Sequence, residues 1–404
     1  MAAPTHIVMD ISRLRSRTKR GTPTGIDRVE LEEVEKALSL GDNAFFFATQ
    51  GKRSWFIPRQ DVAALAKALG RRWAAGSEDG LESAARLYAF LGIEAPLPRV
   101  SDAPSLPKIS GPRAVGAQFF ARRMERKLQA ERADIVYRNV SHHHLDKDGF
   151  LIGLKQRWRA RIEVYWHDAI PILWPEYARE GDSDKHRRRL HAVLRYADRI
   201  RVNSRVTEAE LAHLAQMMQL PLPELTVDPL RPPRAFCGKL EAALAARPYF
   251  LCVGTIEPRK NHRMLLEVWR ELAAELGPDT PALVLAGRRG WMNADTFALL
   301  DRCPALQEHV IEAPELPDAV LACIMKGARA LVMPSFAEGF GLPVVEAQAV
   351  GTPVIASDLP AFREVALRPF TALPPLAGDR WKQAVIQHLQ SNLGQPAKLR
   401  HGAS

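Results

Sequence analysis

The sequence predicts an α/β protein of two doubly wound domains, each built on a mainly parallel sheet. Three observations carry this. At 404 residues the chain is too long for one ordinary hydrophobic core and long enough for two. Short apolar runs alternate with helical segments along most of it, the pattern of parallel strands joined by crossover helices. Prolines then accumulate at Pro221, Pro223, Pro229, Pro232, Pro233 and Pro248, which marks an interdomain linker. The expected organisation is an N-terminal domain over 1–228, a linker over 229–247, a C-terminal domain over 248–375, and a helical tail over 376–404, with packing back on the N-terminal domain left open.

In the first domain, the run from His6 to Asp10 is a short buried strand. Gly21-Thr-Pro-Thr-Gly25 follows as a glycine-bearing loop, and a helix spans 27–40. Residues 96–112, rich in Pro, Ser and Gly, form a loop ahead of a basic helix over 114–131. Strands follow at 134–140 and 161–166, a long basic helix at 183–196, a strand at 199–203 and a helix at 207–219 that stops before Pro221. The second domain alternates more plainly. Strands are expected at 249–254, 282–286, 310–312, 330–333 and 353–356, with helices at 262–276, 317–326 and 338–349 between them, and the tail helix spans 380–393. No internal repeat or low-complexity tract interrupts the pattern.

Composition narrows the function classes. Apolar residues make up 47% and charged residues 25%, the balance of a folded globular protein. The four cysteines, Cys237, Cys252, Cys303 and Cys323, form no CxxC pair, and no apolar leader opens the sequence, so a reducing, cytoplasmic setting is expected. No run approaches the roughly 18 apolar residues of a membrane span. The net charge of +10 sits in the first 240 residues, which hold 40 Lys and Arg against 29 Asp and Glu, leaving 16 against 17 for the rest. Basic clusters such as Lys155-Gln-Arg157-Trp-Arg159-Ala-Arg161 and Lys185-His-Arg187-Arg188-Arg189 suit solvated helix faces, a phosphate-bearing partner, or peripheral contact with an anionic inner-membrane surface. Nucleic acid is not an expected partner, since zinc-finger spacing and the aromatic pattern of RNA-binding sheets are both lacking.

The chemistry concentrates in Glu338-Gly-Phe-Gly-Leu-Pro-Val-Val-Glu346, directly after a predicted strand. Gly339 and Gly341 let the backbone approach a ligand, and the helix start beyond them offers N–H donors and a positive dipole end to a diphosphate. Glu338 and Glu346 are carboxylates suited to accept hydrogen bonds from sugar and ribose hydroxyls. Upstream, Gly254-Thr255-Ile-Glu-Pro-Arg259-Lys260 places two adjacent cations where a strand end opens into a helix. Gly287-Arg288-Arg289-Gly290 ends another strand. His167-Asp168 closes the strand over 161–166. His142-His143-His144 reads as a polar loop, because adjacent histidines on one segment do not converge on one metal ion.

The stretch from Glu338 to Glu346, with Gly351-Thr-Pro353-Val-Ile-Ala after it, resembles the E-x7-E signature of retaining family-4 glycosyltransferases. That resemblance spans 249–365 and implies the GT-B fold, two Rossmann-like domains facing across a cleft. It further implies catalytic roles for His167 and Glu338. Donor binding falls to Gly25, Thr255, Arg259, Lys260, Gly287, Arg288, Gly339, Phe340, Gly341, Leu342 and Glu346, and an acceptor contact to Arg205. Lys260 falls on the lysine of the family's Gly-Arg-x4-Lys phosphate clamp, whereas Thr255 stands where relatives carry arginine, leaving Arg259 as the substitute. No metal is implied. The implied reaction is transfer of a hexose with retention, mannose from GDP-mannose first and UDP-glucose or another hexose donor next, to a glycan or lipid-linked acceptor of bacterial surface polysaccharide. A sugar-nucleotide epimerase and a non-catalytic glycan- or nucleotide-binding protein are the alternatives.

Overall fold

The computed structural model describes residues 5–19, 21–51, 53–97, 106–107, 109, 115–130, 133–147, 149–237 and 241–391. Much of the predicted loop over 96–112, residues 238–240 of the predicted linker, and the tail beyond 391 lie outside the described residues. The chain divides into two compact units. One holds the described residues of 1–80, 98–233 and 338–342; the other holds 81–97, 234–337 and 343–391.

The first unit opens with β1 (Thr5–Asp10), α1 (Ser12–Ser16) and α2 (Gly25–Ser39), followed by β2 (Ala44–Gln50), β3 (Arg53–Ile57) and α3 (Arg59–Ala75). The chain then passes through α4 (Glu78–Leu91), most of which belongs to the second unit, and the first unit resumes with α5 (Val115–Ala130), β4 (Asp134–Asn139), α6 (Phe150–Trp158), β5 (Arg161–Trp166) and α7 (Ile170–Leu173). The unit continues with α8 (Asp182–Tyr196), β6 (Arg199–Val202), α9 (Arg205–Met217) and β7 (Glu224–Val227). The strands form one sheet in the order β3-β2-β1-β4-β5-β6-β7, parallel except for β3, which runs antiparallel to β2. A two-faced apolar core explains the strand composition. On β2, Phe45 and Phe47 face one cluster with Val8, Tyr137, Ile162 and Trp166, while Phe46 and Ala48 face another with Met9, Val34, Leu65 and Trp73. Strands covered on both sides read as continuous apolar runs.

The second unit carries β8 (Tyr249–Val253), α10 (His262–Leu276), β9 (Ala282–Ala286), α11 (Ala294–Arg302), α12 (Pro304–Gln307), β10 (Val310–Glu312) and α13 (Asp318–Gly327). It ends with β11 (Leu331–Met333), α14 (Leu342–Val350), β12 (Val354–Ser357), α15 (Pro360–Val365), β13 (Thr371–Leu373) and α16 (Gly378–Ser391). Its sheet runs β10-β9-β8-β11-β12-β13 and is parallel throughout. Again two cores lie on the two faces: Tyr249, Leu251, Val284 and Ala356 on one, Phe250, Leu283, Leu285 and Ile355 on the other. Helix α16 joins the second core through Trp381, Ala384 and Val385, and the Trp381 indole donates to the Pro374 carbonyl at 2.9 Å.

Both sheets reverse winding direction once, at β1/β4 in the first and β8/β11 in the second. In such sheets ligands bind at the carboxyl ends of the strands beside the reversal. Three expectations need correction. The helix expected over 338–349 begins only at Leu342, because Gly341 takes a φ of +98°, which turns the chain out of helical geometry before the helix starts. Strands β2, β3, β7 and β13 are additional to those the sequence predicts. The His142 to His144 run is a loop, yet His142 is buried in it rather than solvated.

Candidate functional site

In the second unit the candidate residues gather around the carboxyl ends of β8, β9 and β11. Gly254, with φ +136°, turns the chain away from β8, and Lys260 returns so that its side chain lies beside it. A Cβ on Gly254 would stand 3.3 Å from Lys260 Cε and 3.5 Å from Nζ. Lys260 is 8% exposed. Arg259 turns the other way: its Nε lies 2.7 Å from Glu257 Oε1 and its Nη1 donates to the Ala337 carbonyl at 2.9 Å, while Phe336 N donates to the Arg259 carbonyl at 2.8 Å. Arg259 therefore braces the segment that leads from β11, with its charge met by Glu257.

Asn261, in the left-handed region at φ +56°, opens α10 and donates from Nδ2 to the carbonyls of Pro334 at 3.2 Å and Pro375 at 2.8 Å. These bonds tie the lysine loop to the two following loops. Gly287 has its own steric reason. A Cβ there would fall 1.9 Å from the Gly254 carbonyl oxygen, and at Gly290 it would meet Thr255 Cγ2 at 2.8 Å. The two strand-end loops thus pack backbone to backbone, with Thr255 filling the contact. Arg288 pairs with Glu315 at 2.8 Å. Glu346 lies in the first turns of α14 and is 3% exposed, buried where a charge requires polar company.

The first unit brings His167 and the segment Glu338–Leu342 together. A Cβ on Gly339 would stand 2.7 Å from Asp168 Cβ and 2.9 Å from the His167 carbonyl oxygen, so only glycine fits. Ser204 Oγ and Thr207 Oγ1 both donate to the Gly339 carbonyl, at 2.8 and 3.3 Å. Asn203 Nδ2 donates to the His167 carbonyl at 2.8 Å. Sequence motifs do not single out these three polar residues; the available signal is Asn203-Ser204 ahead of a helix, where Ser204 caps α9 through Thr207 N. Phe340 is buried, and Glu338 and Leu342 are half-buried. Gly25 and Arg205 stand apart. Gly25 starts α2 behind a Thr24/Asp27 capping box, and a Cβ added to it would meet nothing within 4 Å. Arg205 is 78% exposed, 3.6 Å from Glu208.

His167 is 6% exposed, and burial holds its pKa down to about 4 even though the Val140 carbonyl, 2.6 Å from Nε2, and Asp168 favour protonation. The ring is neutral at pH 7. With the proton on Nε2 facing a carbonyl, Nδ1 is a hydrogen-bond acceptor. His142 and Tyr165 pack against this ring, at 5.3 and 5.0 Å, while His142 and His186 lie 4.4 and 4.7 Å from Trp166, measured between ring centroids. His142 and His186 reach the carbonyls of Tyr165 and Asp168 through their own Nε2 atoms.

A second polar cluster, at the end of β1, is legible only in the structure. Asp10 is fully buried, accepts a hydrogen bond from the Tyr137 hydroxyl and another from Ser12 N at 2.8 Å. Burial raises its pKa. Glu30, also fully buried, accepts from Leu14 N at 3.2 Å, and its pKa is pushed up to about 8 by burial and by the nearby Asp10 and Asp27 carboxylates. Arg13 spans Asp27 at 2.6 Å and Thr24 at 3.0 Å, with Arg17 3.1 Å from Asp27. Among the described residues, no group of three or more His, Cys, Asp or Glu side chains is placed to hold a metal ion, and no helix is long and apolar enough to cross a membrane.

Residues 241–398 match the family described as Glycosyl transferases group 1. The chain is 35% identical over 216 residues to the serotype-specific mannosyltransferase WbdA of Escherichia coli, covering 50% of this chain and 26% of that protein. It is 36% identical over 149 residues to the O-antigen chain mannosyltransferase B of Escherichia coli, covering 37% of this chain and 39% of the relative. The chain therefore spans well under half the length of these curated relatives. Among solved structures it resembles sucrose-phosphate synthase of Thermosynechococcus elongatus, with a TM-score of 0.58 at 16% identity over 96% of this chain and 90% of that one. The Anabaena protein HepE in complex with UDP-glucose gives the same TM-score at 14% identity, again over 96% and 90%. Residues 241–398 thus match a Glycosyl transferases group 1 domain, and the two parallel-sheet units share the GT-B fold of these solved structures.

Proposed function

We propose that this protein is a retaining hexosyltransferase of bacterial surface-polysaccharide assembly, moving mannose from GDP-mannose to a hydroxyl of a glycan or lipid-linked acceptor. The observation that supports this most directly is the arrangement in the second unit: a buried lysine folded against a glycine turn, and a buried glutamate in the first turns of the helix that follows a glycine loop. Lys260 and the N–H groups at the start of α14 meet the diphosphate, and Glu346 accepts from the ribose hydroxyls. Arg259 contributes by bracing the loop, and Thr255, Gly287 and Arg288 shape the floor near the base.

In the reaction the bond from the anomeric carbon to the diphosphate oxygen breaks and one to the acceptor oxygen forms. The acceptor proton leaves on the diphosphate. Negative charge grows on the leaving phosphate, and preorganised donors that face it in a dry setting lower the barrier. His167, neutral and aimed by its Val140 bond, accepts from a hydroxyl of the transferred sugar through Nδ1, and Glu338 orients the same sugar. The relatives named as mannosyltransferases favour mannose, while the protein crystallised with UDP-glucose keeps a glucosyl donor in the test.

A panel of nucleotide sugars, assayed by thermal shift and by transfer to oligosaccharide acceptors, decides the matter. GDP-mannose is expected to stabilise the wild type, and the shift to vanish in Lys260→Ala and Glu346→Ala. Absence of any response to every nucleotide sugar would overturn the reading.

A further inference from the structure

Beyond His167 the chain builds a small rigid device that the donor chemistry does not use. Asp168 Oδ1 accepts from Ile170 N at 3.1 Å and so starts α7. Ile172 N and Leu173 N bond the Ala169 carbonyl, Trp174 N bonds Ile170 O at 2.8 Å, and Tyr177 N bonds Trp174 O at 3.1 Å. Pro171 and Pro175 fix two of the intervening φ angles. Ile170 and Ile172 are buried and anchor the segment, whereas Trp174 is 40% exposed. Its ring stacks on Tyr177, with centroids 6.2 Å apart and planes 21° from parallel.

We propose that Trp174 and Tyr177 form a carbohydrate-binding subsite on which one sugar ring of the acceptor glycan lies. This rests on the transferase reading given above. A pyranose shows a face of C–H bonds that stacks on an aromatic ring, while its hydroxyls seek polar groups around the rim. A polar neighbour is present: Glu176, between the two aromatic residues in sequence, is exposed. Trp174 follows Asp168 by six residues, on the segment that leaves β5 through the short helix α7. Exposed Trp and Tyr also suit a bilayer surface. Against that occupant, the residues nearest the pair in sequence, Glu176, Glu180, Asp182 and Asp184 around Arg179, are mostly acidic, and the cations Lys185 and Arg187 to Arg189 follow only within α8, so anionic vesicles are the competing probe in the test.

The test uses the full chain and α-linked mannotriose as probe, with affinity followed by saturation-transfer NMR and acceptor KM followed by transfer assay. Trp174→Ala is expected to raise both the mannotriose Kd and the acceptor KM by about tenfold, Trp174→Phe to restore them to within about threefold, and the donor KM to stay put. Tyr177→Ala gives an independent second variant should Trp174→Ala fold poorly. Unchanged mannotriose affinity in Trp174→Ala and Tyr177→Ala overturns the subsite, as does loss of binding to anionic vesicles in place of glycan binding. If mannotriose binds through Trp174 while no nucleotide sugar is ever consumed, the subsite stands and the transferase reading falls. Transfer with an unchanged acceptor KM in both variants has the opposite meaning: the transferase reading stands and the subsite falls.

Discussion

Gly287→Ala offers a direct probe of how the donor half of the site is built. The added methyl carbon would lie 1.9 Å from the Gly254 carbonyl oxygen and 2.6 Å from its carbon, more than 1 Å inside any contact a real side chain tolerates. Backbone is on both sides, so rotamer changes give no relief. The β8 loop must move instead, and overpacking of this kind costs about 1–3 kcal/mol or more. Since a Gly254 Cβ position lies only 3.3 Å from Lys260 Cε, the displacement travels straight to the Lys260 ammonium, the group proposed above to meet the diphosphate. A loss of about 1.4–2.8 kcal/mol in nucleotide binding corresponds to a roughly 10- to 100-fold higher Kd. Isothermal titration with GDP, alongside thermal denaturation, measures both consequences. Gly378→Ala is the matched control, because nothing lies within 4 Å of its added carbon and its φ is not positive. Gly287→Ala binding GDP like the wild type, or Gly378→Ala weakening it equally, would refute the reasoning.

Other expected outcomes follow from the buried charges. Between pH 4.5 and about 8, Glu30 keeps its proton in the folded state and loses it in the unfolded chain, so wild-type stability declines as pH rises through that window. Glu30→Gln should remove up to about 5 kcal/mol of that slope, flattening chemical-denaturation midpoints from pH 5 to 8, with little change near pH 4. His167, held to about 4 against an ordinary 6.5, acts oppositely: the unfolded chain takes up the proton first, and stability drops as pH falls from 6.5 towards 4. Tryptophan fluorescence of the Trp166 stack, followed on acidification, should report that loss. Arg201→Leu removes the main partner of Glu33, which is 3% exposed in its side chain and held at a pKa of about 2 chiefly by Arg201 against the pull of burial; with Lys36 at 2.9 Å and Arg138 at 3.4 Å still in place, a loss of about 1–3 kcal/mol in urea denaturation is expected.

How far these features are legible in the sequence depends on where each residue sits. Strand β9 and helix α10 match their sequence-derived limits residue for residue, because one is a buried apolar run between Pro281 and Gly287 and the other an amphipathic stripe between Asn261 and Gly277. Strand β7 hides between Pro223 and Pro229, and it is tolerated there because an edge strand has ladder positions where a missing N–H costs nothing. In β2, four apolar residues in a row, Phe45 and Phe47 on one face with Phe46 and Ala48 on the other, give no period to separate a strand from a buried helix turn. Candidate residues carried by a sequence motif, Lys260 and Glu346 among them, can be picked out from the sequence alone. Asp10, Tyr137 and Glu30 cannot, since their contact joins residues up to 127 positions apart. Nor does any spacing rule disclose that Arg259 turns to Glu257.

Helix α4 illustrates how the chain's order and its architecture part company. Ala84, Leu87, Tyr88 and Leu91 belong to the apolar core of the second unit, together with Phe236, Tyr249 and Val320, and Ala246 N bonds the Leu91 carbonyl at 2.9 Å. During synthesis these leucines leave the ribosome well over a hundred residues before Tyr249 does, an interval on the order of ten seconds at ordinary elongation rates. For that time an amphipathic helix has no partner on the chain already made. Nascent protein is then most open to chaperone capture or to aggregation, and a clean cut near 233 would leave either half with the same unmatched apolar surface.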